Sequence, residues 1–196
     1  MKIITAPHPT LRVKAQAVTQ VDKKLLQFVA ELKSTLSKTR NPRGVGLAAP
    51  QVNKAWRVFS TMLSDEDGPG QLQTKQDKPQ VYINPKIIKH SADKILGLSK
   101  TDQDSRDEGC LSIPGLYGPV PRWEWIEIEY DEITGDKLVQ KQGRLSQFSA
   151  RVFQHELDHL DGILFIDHSL KYDLPVYREV APEKFEEIDK RILETL

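Results

Sequence analysis

His155 and His159 stand four residues apart with Glu156 between them, in the run Gln154-His155-Glu156-Leu157-Asp158-His159. On a helix this spacing puts both imidazoles on one face, where they can reach a single metal ion, and leaves Glu156 beside the ion without having to be a ligand. The chemistry such a set can do is metal-assisted hydrolysis, with the carboxylate moving protons. Two imidazoles do not complete the site, because a catalytic centre of this kind takes three protein ligands and keeps a fourth position open for water or substrate. Downstream lie His168 and the acids Asp161, Asp167, Asp173 and Glu179, with no second spaced motif. Upstream lies Cys110, the single cysteine, within Glu108-Gly109-Cys110-Leu111-Ser112. The residues alone leave the third ligand open among these.

The elements that must position this set can be read from periodicity. Over residues 147–161, Phe148, Val152, Phe153, Leu157 and Leu160 recur at helical spacing. Ser146 stands at the N-cap and Gly162 at the stop, which predicts a central helix carrying the motif. A first helix is expected from the Asp22 cap to about Lys38, with Leu25, Val29, Leu32 and Leu36 on one stripe. A last helix is expected from Pro182 to Leu196, with Phe185, Ile188, Ile192 and Leu193 near one stripe. Residues 3–13 read as an extended entry, since Pro7 and Pro9 remove donors. Residues 41–51 (NPRGVGLAAPQ) read as a shaped loop, and short strands are expected at 56–62 and 81–84. Between those strands, residues 64–80 are polar and loop-like, with no chemistry expected there. Trp125, Ile126, Ile128 and Tyr130 alternate with Glu127, Glu129 and Asp131, and the turn Thr134-Gly135-Asp136 predicts an antiparallel hairpin returning through Leu138 and Val139. Without βαβ alternation, repeats or a linker, the expected fold is α+β. Short antiparallel strands pack around the central metal-bearing helix, with an N-terminal and a C-terminal helix, in a single catalytic domain over 1–196.

Composition narrows the partners. Lys plus Arg and Asp plus Glu both number 28, so no global positive field draws in nucleic acid or an anionic membrane. No apolar run is long enough to span a bilayer and the first residues lack the pattern of a secretion signal, so a soluble, cytoplasmic protein is expected. One cysteine permits no intramolecular disulfide.

Three segments together carry a resemblance. Gly44-Val45-Gly46-Leu47-Ala48-Ala49-Pro50-Gln51, then Glu108-Gly109-Cys110-Leu111-Ser112, then Gln154-His155-Glu156-Leu157-Asp158-His159 resemble, in order, the signature motifs of the peptide deformylases, and the opening APHPTLRVKA is similar to that family's N-terminal segment. The likeness runs from near Ile3 to about Asp167. It implies removal of the formyl group from the N-terminal methionine of nascent chains, met at the ribosome, with no direct nucleic-acid or membrane binding. It also implies Cys110, His155 and His159 as ligands of one divalent ion, with Fe²⁺ the working metal and Zn²⁺, Ni²⁺ or Co²⁺ suited to the same donors. Glu156 would be general base and acid, Gln51 and the Leu111 N–H would point at the carbonyl oxygen, and Gly46 would let the loop backbone approach the substrate.

The methionine pocket would be lined by Val45 and by the helix face before His155, which brings in Phe148, Arg151 and Val152; the Arg151 stem would line the wall while its guanidinium reaches water. Glu108 and Arg122 are expected to form a partly buried ion pair that fixes the strand bearing Cys110. Many members of the family carry Arg where this chain has Tyr117. A zinc endopeptidase or an inactive, binding-only relative would share parts of this pattern, and retention of Glu156 and Gln51 argues against the latter.

Overall fold

Asp22 accepts a hydrogen bond from the Leu25 N–H at 2.7 Å and so starts helix α1, Lys23–Lys38, where the sequence places it. The stripe Leu25, Phe28, Leu32 and Leu36 is buried, and Val29 packs at its margin. The computed structural model describes residues 1–40, 42–63, 78–98, 107–182 and 184–196; most of the expected 64–80 loop lies outside them.

Two antiparallel sheets carry the described strands around one central helix. The first has the order β1 (Gly46–Ala48), β2 (Val58–Thr61), β3 (Gln80–His90), β8 (Trp125–Thr134) and β9 (Lys137–Ser146). The second has the order β11 (Lys184–Glu187), β10 (Tyr177–Ala181), β6 (Ile113–Pro119) and β5 (Asp107–Cys110). A small pair joins β4 (Lys94–Ile95) to β7 (Arg122–Trp123). The β8–β9 hairpin has the expected turn, with Thr134 opposite Lys137 and Gly135 at φ +64°. Strand β3 runs past the expected end at Asn84, because the ladder slips between Ile83 and Lys86 and so absorbs Pro85, which cannot donate to it.

Helix α2, Gln147–Leu160, buries Ala150, Phe153 and Leu160 against the first sheet, beside Phe59, Tyr82 and Tyr130. Ser146 stands at its N-cap but its hydroxyl makes no capping bond. Gly162, at φ +75°, ends the turn, and a side chain there would lie 2.8 Å from the Arg12 carbonyl group. The expected extended entry over residues 3–13 is corrected: the chain turns at Ala6-Pro7, where the His8 N–H donates to the Thr5 carbonyl at 3.1 Å, and then makes a 3₁₀ turn, Pro9–Arg12. This N-terminal segment ties the two sheets together: the Ile4 N–H donates to Gln51 O at 2.8 Å and the Ala6 N–H to Ser112 O at 2.9 Å.

The C-terminal expectation is corrected. The described residues of 182–196 form no α-helix; β10 and β11 make a hairpin, followed by a 3₁₀ helix, Lys190–Thr195. The third helix instead lies earlier, α3, Phe165–Tyr172, capped by Asp167 accepting from the Leu164 N–H at 2.7 Å. The reason is the free edge of β6, which pairs with Tyr177 and Arg178 and draws the segment into strand geometry against its helical spacing. Ile188 and Leu193 still reach the core, but Phe185 is 50% exposed.

Candidate active site

Helix α2 turns His155 and His159 toward β5, whose last residue is Cys110. Cys110 Sγ lies 3.3 Å from His159 Nε2, and one donor atom from each of Cys110, His155 and His159 falls within 4.8 Å of the others. A thiolate and an imidazole that share a tetrahedral ion stand about 3.6 Å apart, so the set fits one divalent ion that accepts sulfur and nitrogen. His155 Nδ1 is taken by Glu108 Oε2 at 2.9 Å, which leaves Nε2 for the centre and fixes the ring as a carboxylate behind a metal-binding histidine does. His159 Nδ1 is buried with no partner among the described residues.

Behind His155 the charges are paired. Glu108 accepts from Arg122 Nε at 2.9 Å, Arg122 Nη2 at 2.8 Å and Arg151 Nη1 at 3.0 Å. Arg122 Nη1 also reaches Asp158 Oδ2 at 2.5 Å, and that oxygen contacts His168 Nε2 at 2.8 Å. The expected Glu108–Arg122 pair is present and fully buried. Arg151, Asp158 and His168 were missed as members of the network, although the four-residue spacing of Arg151 and His155 puts them on one helix face. The expectation for the Arg151 guanidinium is corrected. It does not reach water: besides Glu108 it donates to the carbonyls of Val120 at 2.7 Å, Leu96 at 2.6 Å, Gly97 at 2.9 Å and Ile95 at 3.2 Å. A buried carboxylate close by and a ring of carbonyls offer it more than partial hydration would.

Electrostatics divide the site. Burial opposes ionisation of Glu108, but the Arg122 guanidinium and the His155 hydrogen bond outweigh it and hold the carboxyl well below its usual range. Burial likewise opposes the Cys110 thiolate, and the imidazoles of His159 and His155 bring it down to about 5. A thiolate also suits its other neighbours, the Ser112 N–H at 3.4 Å and Gln51 Nε2 at 3.6 Å. Glu156 is different: burial pushes it up, the two imidazoles pull back, and it settles at about 7 with Oε2 unpartnered among the described residues.

Gln51 is 1% exposed; its Oε1 accepts from the Ala48 N–H at 2.8 Å while Nε2 donates to Ser112 Oγ at 3.3 Å. A side chain on Gly46 would lie 2.2 Å from Glu156 Oε1, so the close approach that requires this glycine is made by the carboxylate. A cavity of about 420 Å³ opens over these groups, and Val45, Leu111, Phe148, Val152 and the Arg151 stem are in its wall, as is Tyr117. All the residues singled out in the three motifs therefore meet in one place. Of the remaining histidines, His8 caps the first 3₁₀ turn and His90 stacks on Trp123 at 3.9 Å, both away from the cavity.

Residues 1–173 match the model of the polypeptide deformylase family. The chain is 41% identical over 168 residues to "Peptide deformylase 2" of Nostoc sp., covering 85% of this chain and 84% of that one. It is 35% identical over 190 residues to "Peptide deformylase 1" of Vibrio vulnificus, covering 97% and 96%. Among solved structures, a Plasmodium falciparum peptide deformylase aligns with a TM-score of 0.68 at 33% identity, covering 85% of each chain. One from Thermotoga maritima aligns with 0.65 at 32% identity, covering 85% of this chain and 95% of that one. With the three motifs gathered on one cavity and these likenesses over most of its length, the chain belongs to the polypeptide deformylase family.

Proposed function

We propose that this chain, acting as one catalytic domain over 1–196, hydrolyses the N-formyl group from the N-terminal methionine of nascent polypeptides in the cytoplasm, near the ribosome, and releases formate. The observation that carries this reading is the meeting of Cys110, His155 and His159 beside a buried Glu156, whose Oε2 is unpartnered among the described residues, at a cavity of about 420 Å³, which has room for a methionine side chain and the start of a peptide. The family is metal-dependent, and Cys110, His155 and His159 would hold the ion, Fe²⁺ as the working metal. When bound, a divalent ion supplies Lewis acidity, polarising a carbonyl and making water acidic near neutral pH.

The chain's own groups do the rest. Strands β1 and β5 each end their sheets, and residues of both line the cavity, so an extended peptide can pair with an open strand edge. Val45, Phe148, Val152 and the Arg151 stem would hold the methionine side chain. Glu156 Oε2, poised at about 7, takes a proton from the attacking water as its oxygen bonds to the formyl carbon. The same carboxyl then protonates the amine nitrogen as the C–N bond breaks, which gives formate and a free N-terminus. Gln51 Nε2 and the Leu111 N–H would donate to the formyl oxygen as its charge grows, and losing one such donor typically costs about a hundredfold or more in rate.

The test uses anaerobically purified protein on a formyl-Met-Ala peptide, with formate measured directly, beside unformylated casein. Formate without proteolysis is the expected result, and cleavage of casein without formate would replace this reading with that of an endopeptidase. Protein stripped of metal and reloaded separately with Fe²⁺, Zn²⁺, Ni²⁺ or Co²⁺ tests the metal. The Fe²⁺ form should lose activity in air fastest, because an accessible thiolate and a redox-active ion are both open to oxygen; equal lifetimes would count against iron.

A further inference from the structure

A chain of polar groups leads from the back of His155 to a residue outside the cavity. His155 Nδ1 meets Glu108 Oε2 at 2.9 Å, and Arg122 grips the same carboxylate with Nε at 2.9 Å and Nη2 at 2.8 Å. Arg122 Nη1 meets Asp158 Oδ2 at 2.5 Å, and His168 Nε2, on α3, reaches that same oxygen at 2.8 Å. Asp158 stands three residues after His155 on α2, so Glu108 and Arg122 bridge two side chains of one helix face. Arg122, Asp158 and His168 are all absent from the cavity wall.

The acceptors fix the protons along this chain. A carboxylate can only accept, so His168 carries hydrogen on Nε2 and His155 carries it on Nδ1. The buried Arg122 guanidinium is divided between two carboxylates. The more of its charge Asp158 takes up, the more of the Glu108 charge is left for His155. The Asp158 side chain is 20% exposed, so water competes for it, and His168 is the second protein donor that keeps it turned inward. That donor is firmly placed, because α3 buries Phe165, Ile166 and Ser169.

We propose that His168 is a positioning residue for the metal centre: by holding Asp158 on Arg122 it leaves Glu108 free to draw on His155, and so sets how firmly that imidazole binds the ion. The inference rests on the metal site proposed above and adds a member to it from outside the cavity. Without His168, Asp158 turns toward water and the whole Arg122 charge falls on Glu108. Glu108 then accepts less strongly from the His155 Nδ1–H, and the imidazole becomes a weaker ligand through Nε2. A partner directly behind a ligating histidine is typically worth about ten- to a hundredfold in metal affinity, and His168 stands three links further back, so its share is about three- to tenfold.

The experiment loads wild type, His168→Leu and His168→Gln with Zn²⁺ for chelator competition and with Co²⁺ for the visible absorption spectrum, which reads the ligand field at the ion. Glutamine puts an amide N–H where His168 Nε2 stands, and leucine fills the space without a donor. His168→Leu should bind Zn²⁺ about three- to tenfold more weakly and shift the Co²⁺ bands, while His168→Gln should stay within about twofold of wild type and keep its spectrum. On formyl-Met-Ala, His168→Leu should change kcat and leave KM as it is, because His168 does not border the cavity. If His168→Leu does not fold, His168→Asn, whose shorter amide stops short of Asp158, takes its place. In a cycle with Asp158→Asn, adding His168→Leu should cost nothing further in affinity, since both act through one oxygen. Unchanged affinity and spectrum in His168→Leu, with only the unfolding temperature lowered, would make His168 a staple between helices and overturn the inference. So would a glutamine variant as weak as the leucine one, or additive losses in the cycle. No formate from any of these proteins, with the affinity pattern intact, would sink the deformylase reading and leave His168 its role at the metal.

Discussion

Two buried glutamates flank the same pair of imidazoles, and their surroundings pull them apart. Glu108 is 7% exposed and meets two guanidiniums and His155, so it stays ionised. Glu156 is 4% exposed; burial pushes it up to about 7, the imidazoles of His155 and His159 pull against that, and the charges of Cys110 and Glu108 add to the rise. Equal burial therefore gives opposite consequences. A carboxylate surrounded by fixed donors is a support, since any proton it took would break several charge-assisted bonds. A carboxylate with a free oxygen and a pKa near the working pH can give and take a proton at little cost.

The strongest way to break this contrast is Glu156→Ala. It should leave folding and metal content nearly intact, since Glu156 Oε2 has no hydrogen-bond partner among the described residues, while removing the group that serves both proton transfers. The expected fall in kcat is about ten thousandfold or more, the upper end for general acid and base work. Formate release and bound metal measured in parallel check it. An active variant would move the base elsewhere, and a metal-free one would make Glu156 a ligand.

Gly46→Ala attacks the same carboxylate from the other side. The new methyl would sit 2.2 Å from Glu156 Oε1, so either the carboxylate or β1 must move. Misplacement of a catalytic group by about 1 Å costs about a hundredfold, which is the expected loss in kcat with metal retained. Activity within a few-fold of wild type would mean that the carboxylate has room to work from another rotamer.

Glu108→Gln should act on the metal more than on the proton transfers. The glutamine keeps an acceptor for one partner but cannot hold two guanidiniums and an imidazole as a charged group does. Support of this kind behind a ligating histidine is typically worth about ten- to a hundredfold in metal affinity. Competition with a chelator reads that loss directly. If affinity is unchanged while kcat falls by orders of magnitude, the division between the two glutamates fails.

How much of this was legible in the sequence depends on whether the information was local. The four-residue spacing of His155 and His159 fixed their common face, and the Asp22 cap fixed the start of α1, because both are short-range geometry. The place of Glu108 behind His155 joins residues 47 apart, and no spacing rule reaches that far. Arg151 shows the same limit: a charge on the pocket side of a helix pointed to water until the carbonyls of residues 95–97 came into view. The C-terminal hairpin was misread for a related reason. Phe185, Ile188 and Ile192 have helical spacing, but what decides the matter is the free edge of β6, where Tyr177 pairs with Tyr117, 60 residues earlier, which a local pattern cannot see.

The smallest expected effect is the one most specific to the contrast, because its sign differs between the two glutamates. In metal-free protein the folded state holds Glu108 below its ordinary value of 4.5. Its charge therefore contributes stability that is fully present above about 4.5 and is lost as pH falls through the folded value. Glu156 is held above the same ordinary value, at about 7. Between 4.5 and 7 the folded state binds the extra proton, so stability falls as pH rises across that window and levels off above it. Thermal unfolding of chelator-treated wild type, Glu108→Gln and Glu156→Gln from pH 4 to 9 separates the two. Glu156→Gln should gain on wild type as pH rises from 4.5 to 7 and then run parallel, a difference of roughly a few degrees in midpoint. Glu108→Gln should lie below wild type at neutral pH and close the gap on the acid side. Curves parallel to wild type across the whole range for both variants would mean that the two carboxyls share one environment, and the roles assigned to them would have no electrostatic basis.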